Sequence, residues 1–286
     1  VATLVEIFGD GGHLDDAVQL LEEEEARARH DNDHTLEAWI LWRRAGLAVE
    51  RGDLPRAQLL LDKARMVPHE APKGYLMVSI AMVRSLIAEA QGDTAAAHAA
   101  LDEAIEALGK IEGSDAGLLR VMVARLDVTA GTDADVEALV QGAAADLGKD
   151  ENAYGAVALA DALLTSGKIV EAMRTFAGAR QRMSSAFGAF ERMSYHIVEA
   201  RLKASSRDNK DMADARETLD DLAAQAAAQG YVYANLQARL ASGEVSLRSG
   251  QLAVGRAVLS SLGKEATARG FVTLAQRAAR LVAQAG

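Results

Sequence analysis

A glycine-centred turn returns about every forty residues along this chain, and no other feature of the sequence restricts its fold as strongly. The copies run Gly12 to Ala17, Gly52 to Ala57, Gly92 to Ala97, Gly131 to Val136 and Gly167 to Ala172. A degenerate copy covers Asn209 to Ala215, and a last one covers Gly250 to Gly255. Self-similarity at this period marks a stack of units that bury their apolar faces only against neighbours.

The units are helical. Half of the 286 residues are hydrophobic, but aromatics make up only 4% and proline occurs three times. Interiors built on alanine and leucine favour closely packed helices, and no alternating β-branched run supports strands. In the second unit an amphipathic run from Trp39 to Arg51 precedes the turn, and Leu54 to Met66 follows it. Gly52 supplies the left-handed conformation that ends the first helix, and Asp53 is placed to cap the second. Pro55 falls in the first helical turn, where a missing N–H costs nothing. Gly92 and Asp93 repeat the device. Out of phase with these turns, glycine precedes an aromatic at Gly74-Tyr75, Gly230-Tyr231 and Gly270-Phe271. Each such pair is expected to pack between units where one hairpin hands over to the next.

These signals predict hairpins near 1–30, 33–70, 74–110, 114–148, 151–185, 188–228 and 231–268, forming a single domain over 1–286. A closing helix near 271–285 would cap the array, with Arg277, Arg280 and Gln284 on a polar outer face. Small residues with one large apolar residue among them recur at fixed steps: Ala45, Ala57, Leu61 and Ala64; Ser85, Ala97, Leu101 and Ala104; Ala160, Ala172, Phe176 and Ala179. A fourth series reads Ala124, Val136, Val140 and Ala143, and the last reads Gly243, Gly255, Leu259 and Leu262. This pattern resembles the tetratricopeptide repeat (TPR) over almost the whole chain, with Pro68 near that family's closing proline. The period of forty is similar to the long-unit variety in sensor regions of maltose-regulator-like activators and in kinase-associated repeats of bacteria. The first and sixth units fit poorly, since Glu24 takes a small-residue position and Arg207 to Asp211 lengthen a turn. The resemblance implies an all-α, right-handed superhelical solenoid of about seven hairpins.

It also implies that the first helix of each hairpin lines a concave groove. Carried onto this chain, that face holds Trp39, Trp42, Arg43, Arg125, Tyr154, Asp161, Arg201, Glu244 and Arg248, with Met82 and Glu89 beside them. Aromatic and arginine side chains are enriched at binding hot spots. The stripe spacing of Trp39 and Trp42, three apart on one helix, favours a packing role, with a groove role and a dimer contact as the alternatives. Arg125 and Arg201 are either solvated or positioned for acidic side chains of a partner. The Lys/Asn clamp with which some relatives grip a C-terminal carboxylate has no counterpart.

Other chemistry finds little support. A net charge of −10 and a pI near 5.2 argue against nucleic acid. No segment is long and apolar enough to cross a membrane, and no cysteine is present for a disulfide or thiolate site. His30 to His34 reads as a capping loop rather than a metal site, and Glu22 to Glu25 as a solvated helix face. No nucleophile elbow, phosphate loop or zinc-protease motif is found, and no cofactor is implied. Gly9 to Gly12 lacks the preceding strand that a nucleotide loop needs.

The first reading is therefore a non-catalytic, cytoplasmic protein–protein interaction scaffold that binds a peptide segment or partner helix in its groove. The alternative is a regulatory or sensor module of a larger signalling protein, binding an effector or another domain. The start at Val1 without methionine fits such an excised segment. Homo-oligomerisation and docking onto a parent chain both stay open. An open groove would favour the scaffold, a closed pocket the effector module, and converging acids in a closed cavity an enzyme.

Overall fold

In the computed structural model, each described glycine turn closes through the same backbone bond. The N–H of Asp53 reaches Ala48 O at 2.8 Å, that of Asp93 reaches Ala88 O at 2.8 Å, and that of Lys168 reaches Leu163 O at 2.9 Å. Gly52 and Gly92 both sit at φ +83°, which only glycine adopts without strain. The next helix then starts on a side-chain cap, with Asp53 accepting from Arg56 N at 3.0 Å and Asp93 from Ala96 N at 2.9 Å. Residues 14–67, 73–109, 116–130, 153–182, 188–206 and 208–285 are described, together with isolated helical positions 138, 141, 142 and 145. The copies of the turn at Gly12 and Gly131, with Val136, Val140 and Ala143, lie outside them, as do Gly9, Pro68 and the Tyr75 side chain.

Thirteen α-helices follow among the described residues: α1 Leu14–His30, α2 His34–Glu50, α3 Leu54–Met66, α4 Lys73–Ala90, α5 Thr94–Leu108, α6 Gly117–Ala130, α7 Ala153–Thr165, α8 Ile169–Arg182, α9 Ala189–Lys203, α10 Asn209–Gln229, α11 Val232–Arg248, α12 Leu252–Ala268 and α13 Val272–Gln284. They pack as consecutive antiparallel pairs, α2 on α3, α4 on α5, α7 on α8, α9 on α10 and α11 on α12. The small-residue series sits at the crossings. Ala45, Ala57, Leu61 and Ala64 are fully buried, as are Ser85, Ala97 and Leu101. In the last hairpin a Cβ at Gly243 would meet Leu259 Cγ at 2.7 Å, and one at Gly255 would meet Leu247 Cδ2 at 2.7 Å. Glycine there lets α11 and α12 approach more closely than alanine would. The lengthened sixth turn contains a short 3₁₀ segment, Ala204–Ser206, after which Asp208 caps α10 by accepting from Lys210 N at 2.8 Å.

The loop from His30 to His34 serves the backbone. Asn32 takes φ +55° and Asp33 caps α2 by accepting from Leu36 N at 2.9 Å. The acidic run beside it is only partly solvated, contrary to expectation. Glu25 is buried and forms ion pairs with Arg44 and Arg29, while Arg44 also holds Glu22.

The two ends of the array meet. Besides their neighbours, α11 touches α2 and α13 touches α4. One hydrophobic cluster accordingly unites Leu41, Leu54, Leu61 and Ile87 with Leu236, Leu259, Phe271 and Leu274. The aromatics after Gly230 and Gly270 do more than separate adjacent units. Phe271 is fully buried, stacks on Tyr233 at 5.3 Å and lies 3.5 Å from where a Gly52 Cβ would stand. Val272 approaches Gly92 in the same way, and Thr273 Oγ1 donates to Glu89 O. Glycine at these two turns thus serves the left-handed bend and also the contact between distant hairpins.

Candidate functional site

Contact between the two ends of the array leaves a half-open cavity of about 490 Å³ along its inner face. Its walls come from α2, α4, α6, α7, α9, α11 and α13, together with Gly188 just before α9, so first helices of hairpins and the closing helix build it while second helices stay outside. Apolar side chains such as Val78, Met82, Leu118, Met122 and Val157 make most of the lining, and a few charged groups are set among them. That composition is typical of small-ligand sites.

Six of the nine residues placed by sequence on the inner face meet here: Trp42, Arg43, Arg125, Tyr154, Asp161 and Arg201. Trp42 is half-buried at the wall, and its indole N–H donates to Ser79 O at 2.9 Å, which ties α2 to α4. Trp39 lies behind it in an edge-to-face contact, with ring centroids 5.4 Å apart, and packs on the same core without lining the cavity. The pair is thus divided between packing and site. Glu244 and Arg248 line a neighbouring recess of about 700 Å³, and Arg201 borders both spaces.

The arginines are neither solvated nor waiting for a partner's acid. Arg125 holds Glu89 through two bonds, at 2.8 and 2.5 Å. Burial alone would lower its pKa, but the Glu89 carboxylate outweighs that and raises it. Arg201, on a side chain only 6% exposed, pairs with Asp161 and with Glu244 Oε2 at 3.3 Å. Arg277 reaches the same Glu244 oxygen at 3.2 Å. Burial opposes ionisation of Asp161 and Glu244, yet the facing guanidiniums hold both below the usual carboxylate range. Arg277 moves the other way. Burial and the like charge of Arg201 depress it, with Glu244 only partly restoring the balance. Arg277 therefore belongs to the cavity and not to the polar outer face expected for the closing helix, whereas Arg280 and Gln284 are exposed. Arg248 donates to Ala204 O at 3.3 Å.

A second charged group was missed by the sequence. Glu50, the last residue of α2, is 7% exposed and faces the cavity with Glu191 from the first turn of α9. Burial pushes the Glu50 carboxyl up to about 8, with Arg43 opposing and Glu191 adding to the rise. Its place at a helix C-terminus acts in the same direction, because the helix dipole disfavours negative charge there. Burial also moves the Tyr154 phenol, which lies between these acids and Arg125, up to about 12.

The architecture is all-α, a run of consecutive antiparallel helix pairs. No family model matches the chain, and no curated protein matches its sequence. Among solved structures it is similar to the crystal structure of yeast Tom70, at 13% identity and a TM-score of 0.44. That similarity covers 95% of this chain, which spans 59% of the Tom70 chain. The fold assignment stands on the helix pairing and on the residues at the crossings.

Proposed function

We propose that this chain is a regulatory binding module: a non-catalytic, protein-interacting helical repeat whose inner cavity takes a small effector. The helical-repeat fold supports the protein-binding part. The effector part rests on one observation, the packing of α11 and α13 against α2 and α4, which narrows the inner face to a half-open cavity. A partner helix is about 10–12 Å across with its side chains and needs an open channel. A cavity of about 490 Å³ instead falls within the range of small-molecule sites. This favours the effector module over the groove scaffold, with the whole repeat array acting as one unit around the ligand.

Glu50 and Glu191 do converge in the cavity, which is the feature an enzymatic reading asks for. Neither accepts a hydrogen bond from a nucleophile or an orienting side chain among the described residues, so the nucleophile–base–orienter arrangement is not assembled there. Binding is the chemistry this arrangement supports.

The test is a ligand screen by thermal shift on the native chain and on Ala158→Trp, which fills the cavity from α7. Effectors should raise the melting temperature of the native protein by a few degrees and leave the folded variant unmoved. Equal shifts in both proteins would place the ligands elsewhere and sink the cavity reading.

A further inference from the structure

The charged groups of the cavity are unevenly satisfied. Arg125, Asp161, Arg201, Glu244 and Arg277 are all paired within the chain. Glu50 is more than nine-tenths buried, borders the cavity, and makes neither an ion pair nor a side-chain hydrogen bond among the described residues. Glu191 Oε2 is likewise buried without a hydrogen-bond partner. A buried polar atom left unpaired costs free energy that a ligand group can recover.

We propose that this end of the cavity binds the primary ammonium group of a small organic cation, seated between Glu50 and Glu191 with its apolar body along the wall to which Trp42 and Phe190 belong. The proposal rests on the effector reading of the cavity and supplies its ligand chemistry. Charge decides the sign of the ligand. Once Glu50 ionises, two carboxylates meet a single guanidinium, Arg43, and an ammonium completes the balance where an anion cannot. An ammonium also brings three donors to carboxylates that receive no side-chain hydrogen bond among the described residues. A bare metal ion is disfavoured, since no group of three or more His, Cys, Asp or Glu able to hold one is found among the described residues. The mostly apolar walls suit an organic body instead.

The groups around Glu50 make binding pH-dependent. Arg43 on its own helix lowers its proton affinity, and Glu191 on α9 raises it. Tyr154 on α7 and Tyr231 before α11 are both pushed up to about 12, so they stay neutral, and Arg192 lies near Tyr231. In the empty cavity near pH 7 Glu50 holds its proton. An arriving ammonium makes the carboxylate the better form, so Glu50 releases that proton to solvent as the ion pair forms. Affinity should therefore rise about tenfold from pH 7 to pH 9.

The experiment titrates the native chain with n-hexylammonium, 1-hexanol and hexanoate, read by tryptophan fluorescence and by calorimetry in two buffers of different ionisation heat. Hexylammonium should bind about tenfold or more tighter than hexanol at pH 8.5 and release close to one proton at pH 7. Glu50→Gln, confirmed folded by circular dichroism, should lose that preference and the proton release while still binding hexanol. Equal affinity for the three probes, a preference for hexanoate, or an unchanged Glu50→Gln would overturn the cation assignment. In each case the cavity as a ligand site would survive. If none of the three probes binds, the ammonium site is refuted, and the Ala158→Trp comparison decides separately whether the cavity reading falls with it.

Discussion

The two ends of the cavity are built from the same kinds of residue but respond to protons in opposite ways. At one end Arg201 and Arg277 converge on Glu244 while Asp161 completes the network, so every carboxylate faces a guanidinium. At the other end Glu50 and Glu191 face the cavity with no side-chain hydrogen bond among the described residues, and Glu191 Oε2 is buried without one. Asp161 and Glu244 lie below the usual carboxylate range, and Glu50 lies far above it. Burial raises the proton affinity of all three acids, so the sign of the outcome is set by whether a cation lies within bonding distance. The paired end therefore holds the fold together, and the unpaired end is where a ligand gains most.

The largest effect should come from breaking the paired end. Arg201→Met removes the guanidinium that ion-pairs with both Asp161 and Glu244 and, among the described residues, leaves Asp161 no ion-pair partner. Removing one member of a buried ion network typically costs about 3–5 kcal/mol. We expect a fall in melting temperature on the order of 10 °C, measured by calorimetry. A fall of only a degree or two would mean that water already screens this network, and the contrast between the ends would collapse.

Next comes the pH profile. Asp161 and Glu244 contribute stability that is present above the ordinary carboxylate pKa and is lost as pH falls through their lowered values. Glu50 has the opposite sign. Between pH 4.5 and about 8 the folded state keeps a proton that the unfolded chain has released, so stability falls as pH rises through that window and levels off above it. Glu50→Gln cannot ionise and should match the native protein near pH 4. At pH 9 it should exceed it by roughly 2–4 kcal/mol, allowing for relaxation around the charge. Denaturant melts at the two pH values check this, and parallel profiles for the two proteins would show that Glu50 is hydrated.

How much of this could be read from the sequence follows from the range of each interaction. The stop-and-cap turns at Gly52-Asp53 and Gly92-Asp93 are local, as are the crossing residues Ala45, Ala57 and Leu61, and all were legible. The grouping of Trp42, Arg125, Tyr154 and Arg201 on one face came only through the resemblance to the tetratricopeptide repeat, and all four line the cavity. Closure was not legible. It depends on contacts such as Phe271 with Gly52 and Thr273 with Glu89, between hairpins far apart in sequence, and these apolar and small residues look the same whether they pack locally or across the array. Without closure, Glu50 reads as a solvated helix end and Arg277 as part of a polar cap. One signal was available: Glu50 breaks the helix-dipole preference by placing an acid in the last turn of α2.

The smallest expected effect separates burial from like-charge repulsion at the unpaired end. Burial is the leading cause of the high Glu50 pKa, and the Glu191 charge contributes less than either burial or the opposing Arg43. Glu191 stands in the first turn of α9. Glu191→Gln keeps the shape and removes the charge. It should lower the Glu50 midpoint by less than about one unit, read from the carboxyl ¹³C shift of Glu50 against pH. A return of Glu50 to the ordinary carboxylate range would make repulsion the dominant cause. The site would then be a coupled acid pair that shares a proton, and an ammonium would displace that shared proton rather than one held by Glu50 alone.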